Sequence, residues 1–122
     1  MKATDTGIKR ILKAFIYSRD GFNAAFKSEA ALRQDLLVFV IFSLIALFLD
    51  LMLWQKALLI SSLLFIVIME LVNTAVETVI DRISPDYHEL SKKAKDIGSL
   101  LVLLSFINAF LIWGAFLYPL LF

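Results

Sequence analysis

The stretch IVIMELVNTAVETVIDRI, residues 66–83, combines the length and hydropathy of a membrane-spanning helix with a row of polar side chains. The polar residues at helical spacing are Glu70, Asn73, Glu77 and Asp81. Intervals of three and four residues place side chains on one face of an α-helix. A charged carboxylate at the centre of a membrane helix costs about 2.5–3.5 kcal/mol on insertion scales. We therefore expect this face to contact partners, cations or water and to mark a functional site.

The whole chain has the composition of a membrane protein. Of its 122 residues, 61% are hydrophobic and 11 are phenylalanine, an apolar share above that of an ordinary soluble domain. One span of a bilayer core takes about 20 residues, so residues 1–122 accommodate a single domain with about three spans. The chain contains no cysteine, which excludes disulfides, thiolate metal sites and a cysteine nucleophile.

Three apolar segments predict an all-α membrane protein. The predicted spans cover about residues 36–54, 57–83 and 97–118. Trp54 fits an interface anchor at the end of the first span. Ser84 and Pro85 should end the second span, and Pro119 should end the third. The connecting segments are short, so neighbouring spans should run antiparallel.

A basic amphipathic segment, about residues 6–33, precedes the first span. Its apolar and basic side chains alternate at helical spacing, which is typical of a helix lying on a membrane surface. Asp20 and Gly21 predict a break in this helix. A solvated helix packed on a protein core is the alternative, but adjacency to a span favours the membrane surface. The segment lacks the early apolar run of a cleavable signal peptide.

The basic residues predict the orientation of the spans. Seven Lys and Arg residues precede Leu36, one lies between the first two spans, four lie from Arg82 to Lys95, and none follow. The positive-inside rule then predicts a cytoplasmic N-terminus and an outward-facing C-terminus. Glu77 would lie near the cytoplasmic interface, with Glu70 about 10 Å deeper at 1.5 Å rise per residue. A protomer of three spans buries little surface, which favours an oligomer.

Carboxylates at the cytoplasmic level predict a site for a magnesium nucleotide. Mg²⁺ in proteins takes one or two carboxylates together with substrate phosphates, and Glu29 lies at the same predicted level as Glu77. The loop SPDYHELSKKAKD, residues 84–96, offers lysines for phosphate oxygens and aromatic rings for a base or sugar. Lys92 and Lys93 fit equally well as the positive anchor of a cytoplasmic loop.

Several other functions are excluded or left open by the motifs. The chain has no GxxxxGK[ST], GxGxxG, HRD or DFG motif, which excludes the soluble nucleotide-binding architectures. His88 is the single histidine, so a zinc site is excluded. The intramembrane acids could instead form a cation or proton pathway in a small oligomeric channel or transporter. They could also act as a polar clasp in a structural membrane subunit.

Two segments carry a resemblance to a known family. ELVNTAVETVIDRISPDYHELSKKAKDIGS, residues 70–99, and RILKAFIYSRDGFNAAFKSEAALRQD, residues 10–35, closely resemble the integral-membrane bacterial diacylglycerol kinases. The resemblance implies a homotrimer in the bacterial inner membrane whose active sites are shared between neighbouring protomers. It implies ATP-dependent, Mg²⁺-dependent phosphorylation of 1,2-diacylglycerol to phosphatidic acid. A related branch phosphorylates undecaprenol, which remains the alternative substrate.

The same resemblance implies roles for individual residues. Glu70 would be the general base for the lipid hydroxyl, braced by Asn73, and Glu29 and Glu77 would hold Mg²⁺. The other ATP contacts would be Arg10, Tyr17, Asp86, Tyr87, His88, Lys95 and Asp96. The lipid site would include Arg10, Ala14, Ser18, Arg19, Asn23, Phe26, Ala31, Asp35, Glu70, Ser99 and Trp113. Asp35 stands where a glutamate is expected.

Overall fold

The computed structural model describes residues 6–122 as four helices. These are α1 (Gly7–Ser28), α2 (Ala30–Phe48), α3 (Leu53–Ile83) and α4 (Glu89–Leu121). Within residues 6–122 there is no strand. The last three helices are long and apolar enough to cross a membrane, and α1 is the amphipathic helix that precedes them. The predicted all-α fold, with an amphipathic N-terminal helix followed by three helices long and apolar enough to span a membrane, is confirmed.

The expected break in α1 at Asp20 and Gly21 is wrong. The helix continues through Gly21 and ends at Ser28, where Glu29 adopts an extended conformation with φ −115° and ψ 107°. A single glycine costs a helix only about 1 kcal/mol relative to alanine, which the flanking helical hydrogen bonds outweigh. The turn between α1 and α2 therefore lies at Glu29, eight residues after the predicted break.

Arg33 of α2 stabilises the turn between α1 and α2 by hydrogen bonds to the end of α1. Its Nη1 donates to the carbonyl oxygens of Phe26 at 2.5 Å and Lys27 at 3.2 Å. Its guanidinium also lies over the Phe26 ring, 6.0 Å from the centroid. The last carbonyls of a helix have no partner within the helix, so Arg33 acts as a C-terminal cap for α1.

The exposed side of α1 is apolar. Ile8, Ile11 and Phe15 are each more than half exposed, whereas Ala25 is buried against the other helices. Exposed apolar side chains on a basic amphipathic helix are typical of a helix that lies on a lipid surface. This exposure favours the membrane surface over a solvated helix packed on a protein core.

The helix ends differ from several predicted boundaries. α2 ends at Phe48, so Trp54 lies in the first turn of α3 and does not end the first helix. Lys56 donates from Nζ to the carbonyl oxygen of Leu47 at 2.8 Å, which gives a carbonyl in the last turn of α2 a hydrogen-bond partner. The Trp54 ring packs edge-on against Phe116 of α4, with centroids 5.9 Å apart. Trp54 therefore joins the start of α3 to the last turns of α4.

The fourth helix is longer than its predicted span at both ends. It begins at Glu89, so most of the residues predicted as a cytoplasmic loop are helical. His88 is its N-cap, because Nδ1 accepts a hydrogen bond from the Leu90 amide at 3.0 Å. The helix continues through Pro119 to Leu121, so the prediction that Pro119 ends it is wrong. Proline removes its own amide donor and crowds the carbonyl four residues earlier, yet the helix continues and the Phe122 amide bonds the Tyr118 carbonyl at 3.0 Å.

The packed core lies between α2, α3 and α4. Its main buried cluster consists of Ala46, Leu59, Leu63, Ile66, Ala109 and Trp113. The Trp113 indole donates from Nε1 to Ser62 Oγ at 3.1 Å, and Ser62 Oγ donates to the Leu59 carbonyl at 2.6 Å. A buried indole needs such a partner, so this pair fixes the register of α4 against α3.

Candidate active site

The polar face of α3 is turned toward the other helices. Glu70 is 7% exposed, Asn73 is 8% exposed, and Glu77 is half-buried. Thr74, also buried, donates from Oγ1 to the Glu70 carbonyl at 3.0 Å and so satisfies its own hydroxyl within the helix. The burial of these groups agrees with the expectation that this face avoids lipid.

Three carboxyl groups interact with the carboxyl group of Glu70. The Asp35 side chain of α2 lies within hydrogen-bonding reach of Glu70. Glu77, and Glu29 at the α1–α2 turn, interact electrostatically with the same carboxyl. One oxygen of Asp35 is buried without a hydrogen-bond partner. Buried acidic groups are costly unless protons, cations or donors compensate them, so this cluster is suited to bind a positively charged partner.

The contact between Asp35 and Glu70 was not predicted from the sequence. The resemblance assigned both residues to the lipid site, and the structure brings their side chains together. Little in the sequence indicates this contact, because Asp35 lies at the edge of the first apolar run and thirty-five residues from Glu70. Only the packing of α2 on α3 brings the two together.

Asn73 links the cluster along α3. Its Nδ2 donates to Glu77 Oε1 at 3.2 Å, one helical turn away. Its Oδ1 is buried without a hydrogen-bond partner and faces Gly98 of α4. This hydrogen bond orients the Glu77 carboxylate, and the bracing role of Asn73 in catalysis stays a prediction.

The donor set suits a metal ion that arrives with a substrate. Within residues 6–122, no group of three or more histidine, aspartate or glutamate side chains is close enough to hold a metal by itself. Mg²⁺ typically takes one or two carboxylates, with the remaining oxygens supplied by substrate phosphates and water. Glu29 and Glu77 are suited to be these carboxylates, because both interact with Glu70 and Asn73 already orients one oxygen of Glu77.

A polar cleft of about 460 Å³ lies where α3 ends and α4 begins. Five of the residues assigned to ATP by resemblance line it together: Asp86, Tyr87, His88, Lys95 and Asp96. The cleft also contacts Ile80 on α3, one turn beyond Glu77. It is therefore adjacent to the Glu77 end of the carboxylate cluster.

Two ion pairs organise the charged side chains around this cleft. Lys95 Nζ bonds Asp81 Oδ1 at 2.9 Å, and Lys92 Nζ bonds Asp96 Oδ2 at 2.6 Å. Asp81 had no sequence-based role beyond support, and the structure makes it the partner of Lys95. The Lys92 pair gives that lysine a contact besides its charge on the membrane surface.

A second groove, of about 660 Å³, runs between α1 and α3. It is lined by Ser18, Phe22 and Ala25 from α1 and by Leu71, Thr74 and Thr78 from α3. Among the residues predicted for the lipid site, Ser18 lies in this groove. Thr74 in this lining lies one helical turn from Glu70 and donates to the Glu70 carbonyl.

Most of the other predicted site residues are exposed in the single chain. Tyr17, Arg19 and Ser99 are exposed. Arg10, Asn23 and Ala31 are also exposed, as is Phe26 beneath the Arg33 guanidinium. Ala14 is half-buried and accepts the Ser18 hydroxyl at 2.8 Å through its carbonyl. Their roles in binding ATP or lipid stay predictions.

Trp113 lies in the core and apart from the carboxylates. It is hydrogen-bonded to Ser62, which is eight residues from Glu70 along α3, or about 12 Å at 1.5 Å rise per residue. Its ring contacts Phe42 edge-on, with centroids 5.6 Å apart. This position predicts a packing role, and a contact with lipid would have to involve an acyl chain.

Comparison with known proteins places the chain in a family. A profile described as "Prokaryotic diacylglycerol kinase" matches residues 16–117. The chain is 44% identical to the diacylglycerol kinase of Escherichia coli (strain K12) over 113 residues, or 93% of each chain. It is 49% identical to that of Pseudomonas aeruginosa over 94 residues, 77% of this chain and 76% of the other. It is 38% identical to that of Haemophilus influenzae over 113 residues, 93% of this chain and 96% of the other. The resemblance seen in the sequence is therefore confirmed, and the chain belongs to the prokaryotic diacylglycerol kinase family.

Proposed function

We propose that this lipid kinase transfers the γ-phosphoryl group of ATP to the hydroxyl of 1,2-diacylglycerol and releases phosphatidic acid and ADP. The relatives named diacylglycerol kinase support this substrate. The observation that carries the proposal is the interaction of three carboxyl groups with Glu70 near the Lys95 cleft. Phosphoryl transfer needs positioning, charge compensation and a base, and this arrangement offers groups for each.

Glu70 is the proposed general base. A base must lie within hydrogen-bonding reach of the hydroxyl whose proton it takes. The α1–α3 groove is lined by Thr74, one helical turn from Glu70, and is the site that we propose for the lipid hydroxyl. Glu70 accepts the hydroxyl proton, the lipid oxygen forms a bond to the γ-phosphorus, and the bond from that phosphorus to the bridging oxygen of ADP breaks.

Glu77 and Glu29 would hold Mg²⁺ with the ATP phosphates. Bound there, the ion neutralises charge that develops on the transferred group. Asn73 orients Glu77 through the bond from Nδ2 to Oε1. Lys95, held by Asp81, presents its ammonium group at the cleft where we place the nucleotide.

The active enzyme is proposed to be a homotrimer with shared active sites. Arg10 and Tyr17 are expected to contact ATP, yet both are exposed on α1 within a single chain. A neighbouring protomer would supply the surface on which they act. The charge distribution supports an orientation in the bacterial inner membrane with the N-terminus and the α3–α4 connection in the cytoplasm, where ATP is available.

The test is a phosphoryl-transfer assay on the purified protein in mixed micelles, with γ-labelled ATP and either diacylglycerol or undecaprenol. We expect label in phosphatidic acid, with a larger kcat/KM for diacylglycerol. A larger kcat/KM for undecaprenol would overturn the substrate, and no transfer to either lipid would overturn the proposed reaction. Omitting Mg²⁺ while keeping ATP and lipid should abolish transfer, and undiminished transfer would refute the metal requirement.

A further inference from the structure

Helices α3 and α4 make a close approach where Gly98 faces Asn73. Gly98 is buried, and a β-carbon at this position would overlap Asn73 Oδ1 and lie 3.2 Å from its Cγ. Gly21 and Gly114 are also helical, but a β-carbon at either would have no neighbour within 4 Å. Space for the Asn73 amide therefore depends on the absence of a side chain at residue 98.

The two ends of the Asn73 amide have different surroundings. Nδ2 donates to Glu77, whereas Oδ1 faces the backbone of α4 and has no hydrogen-bond partner. Rotating the amide by 180° would direct Oδ1 at the Glu77 carboxylate, which is repulsive. A buried acceptor without a partner is unfavourable and rare in native proteins, so its retention calls for an explanation.

We propose that Gly98 is a positioning residue for phosphoryl transfer. It leaves the space in which the Asn73 amide lies against α4, and Asn73 in that position orients Glu77 for Mg²⁺ and the nucleotide phosphates. The inference rests on the proposed function, because it takes Glu77 as the metal ligand. Gly98 itself contacts neither substrate nor metal and acts only through Asn73.

A purely structural role for Gly98 makes a different prediction. If the glycine served only close helix packing, replacing it would lower stability whether or not residue 73 carries an amide. If it acts through Asn73, the effect on activity should vanish once the Asn73 side chain is shortened. A double-mutant cycle separates the two cases because it measures the coupling between the residues.

The experiment compares wild type, Gly98→Ala, Asn73→Ala and the double variant in the lipid kinase assay. We expect Gly98→Ala to raise KM for Mg·ATP and to lower kcat/KM by about 100-fold, the scale of a 1 Å misplacement. The double variant should be no less active than Asn73→Ala alone. Wild-type kinetics for Gly98→Ala, or losses that multiply in the double variant, would overturn the inference.

A second readout does not depend on turnover. A ligand that binds only the folded protein raises its melting temperature, so Mg²⁺ with a non-hydrolysable ATP analogue should stabilise wild type. Gly98→Ala should lose most of this shift. Gly114→Ala, on the same helix, gives the effect of a glycine-to-alanine change on melting without the overlap. An unchanged shift in folded Gly98→Ala would contradict the inference.

The same variants distinguish a failure of Gly98→Ala to fold from a failure of the proposed function. If Gly98→Ala does not fold, the double variant should fold because Asn73→Ala restores the space, and an unfolded double variant would overturn the inference. If wild type binds the magnesium analogue but phosphorylates neither lipid, the proposed function fails. The melting-temperature cycle then still tests whether Gly98 acts through Asn73.

Discussion

Lys95 Nζ lies 2.9 Å from Asp81 Oδ1, and this ion pair joins the last turns of α3 to the second turn of α4 beside the polar cleft. The two side chains are 43% and 64% exposed. Exposed pairs contribute little to stability, about 0–1 kcal/mol, because water and salt screen them. The pair is therefore better suited to orient Lys95 than to hold the fold together.

Replacing Lys95 should mainly weaken ATP binding. Lys95→Met removes the ammonium group that we place on the nucleotide phosphates, so KM for ATP should rise at least about tenfold, or about 1.4 kcal/mol. Asp81→Asn keeps the ammonium and should raise this KM less. Steady-state kinetics at saturating diacylglycerol make the comparison. Equal KM values for wild type and Lys95→Met would remove Lys95 from the nucleotide site.

Asp35 should influence the reaction through Glu70. Asp35→Asn removes one of the carboxyl groups around the proposed base, and we expect kcat to fall at least about tenfold, less than the about 100-fold or more expected for loss of the base itself. Asp35→Glu restores the carboxyl and should recover most of the activity. A fall in lipid affinity with unchanged kcat would instead support the role in lipid binding that the resemblance implied.

The Trp113 indole should matter for stability more than for chemistry. Trp113→Phe removes the hydrogen bond to Ser62 and should lower the free energy of unfolding by about 1 kcal/mol. Trp113→Ala should cost about 3–5 kcal/mol, because it also leaves a cavity. Equilibrium unfolding in detergent micelles measures both changes.

Activity measurements on Trp113→Phe distinguish a packing role of Trp113 from a contact with the lipid. Trp113→Phe should keep kcat near the wild-type value, since the indole lies about 12 Å from Glu70 along α3. A large rise in KM for diacylglycerol in this variant, with stability intact, would show that Trp113 contacts the lipid.

Arg33 should restrain the end of α1. Arg33→Lys keeps the charge but loses the forked contact with the Phe26 and Lys27 carbonyls. We expect faster amide hydrogen exchange in residues 21–28 and unchanged exchange in α4. Unchanged protection of residues 21–28 would show that the cap does not hold this turn.

Local patterns in the sequence predicted the helices and the polar face of α3. Side-chain periodicity within one helix depends only on helix geometry, so Glu70, Asn73 and Glu77 could be assigned to one face in advance. The break at Gly21 was wrong because a glycine is a weak helix breaker when its flanks are helical. The early start of α4 was missed because its first turns are rich in charge and resemble a loop.

Contacts between helices were not predictable from one sequence. The approach of Asp35 to Glu70 depends on the packing of α2 against α3, and that of Gly98 to Asn73 depends on the register of α4. The register of one helix against another leaves no periodic pattern in the sequence. The Asp81–Lys95 pair was missed for the same reason, although both charges were noticed separately.

The most direct test of the central claim is the rate of phosphatidic acid formation by Glu70→Gln, measured with saturating Mg·ATP and diacylglycerol in mixed micelles. Asp50→Asn is the matched control, because Asp50 is an exposed acid in the α2–α3 connection, at the other end of α3 from the polar cleft. Glu70→Gln should be folded and lose about 100-fold or more in kcat, as expected for removal of a general base, while Asp50→Asn keeps wild-type activity. Wild-type turnover by Glu70→Gln would contradict its assignment as the base.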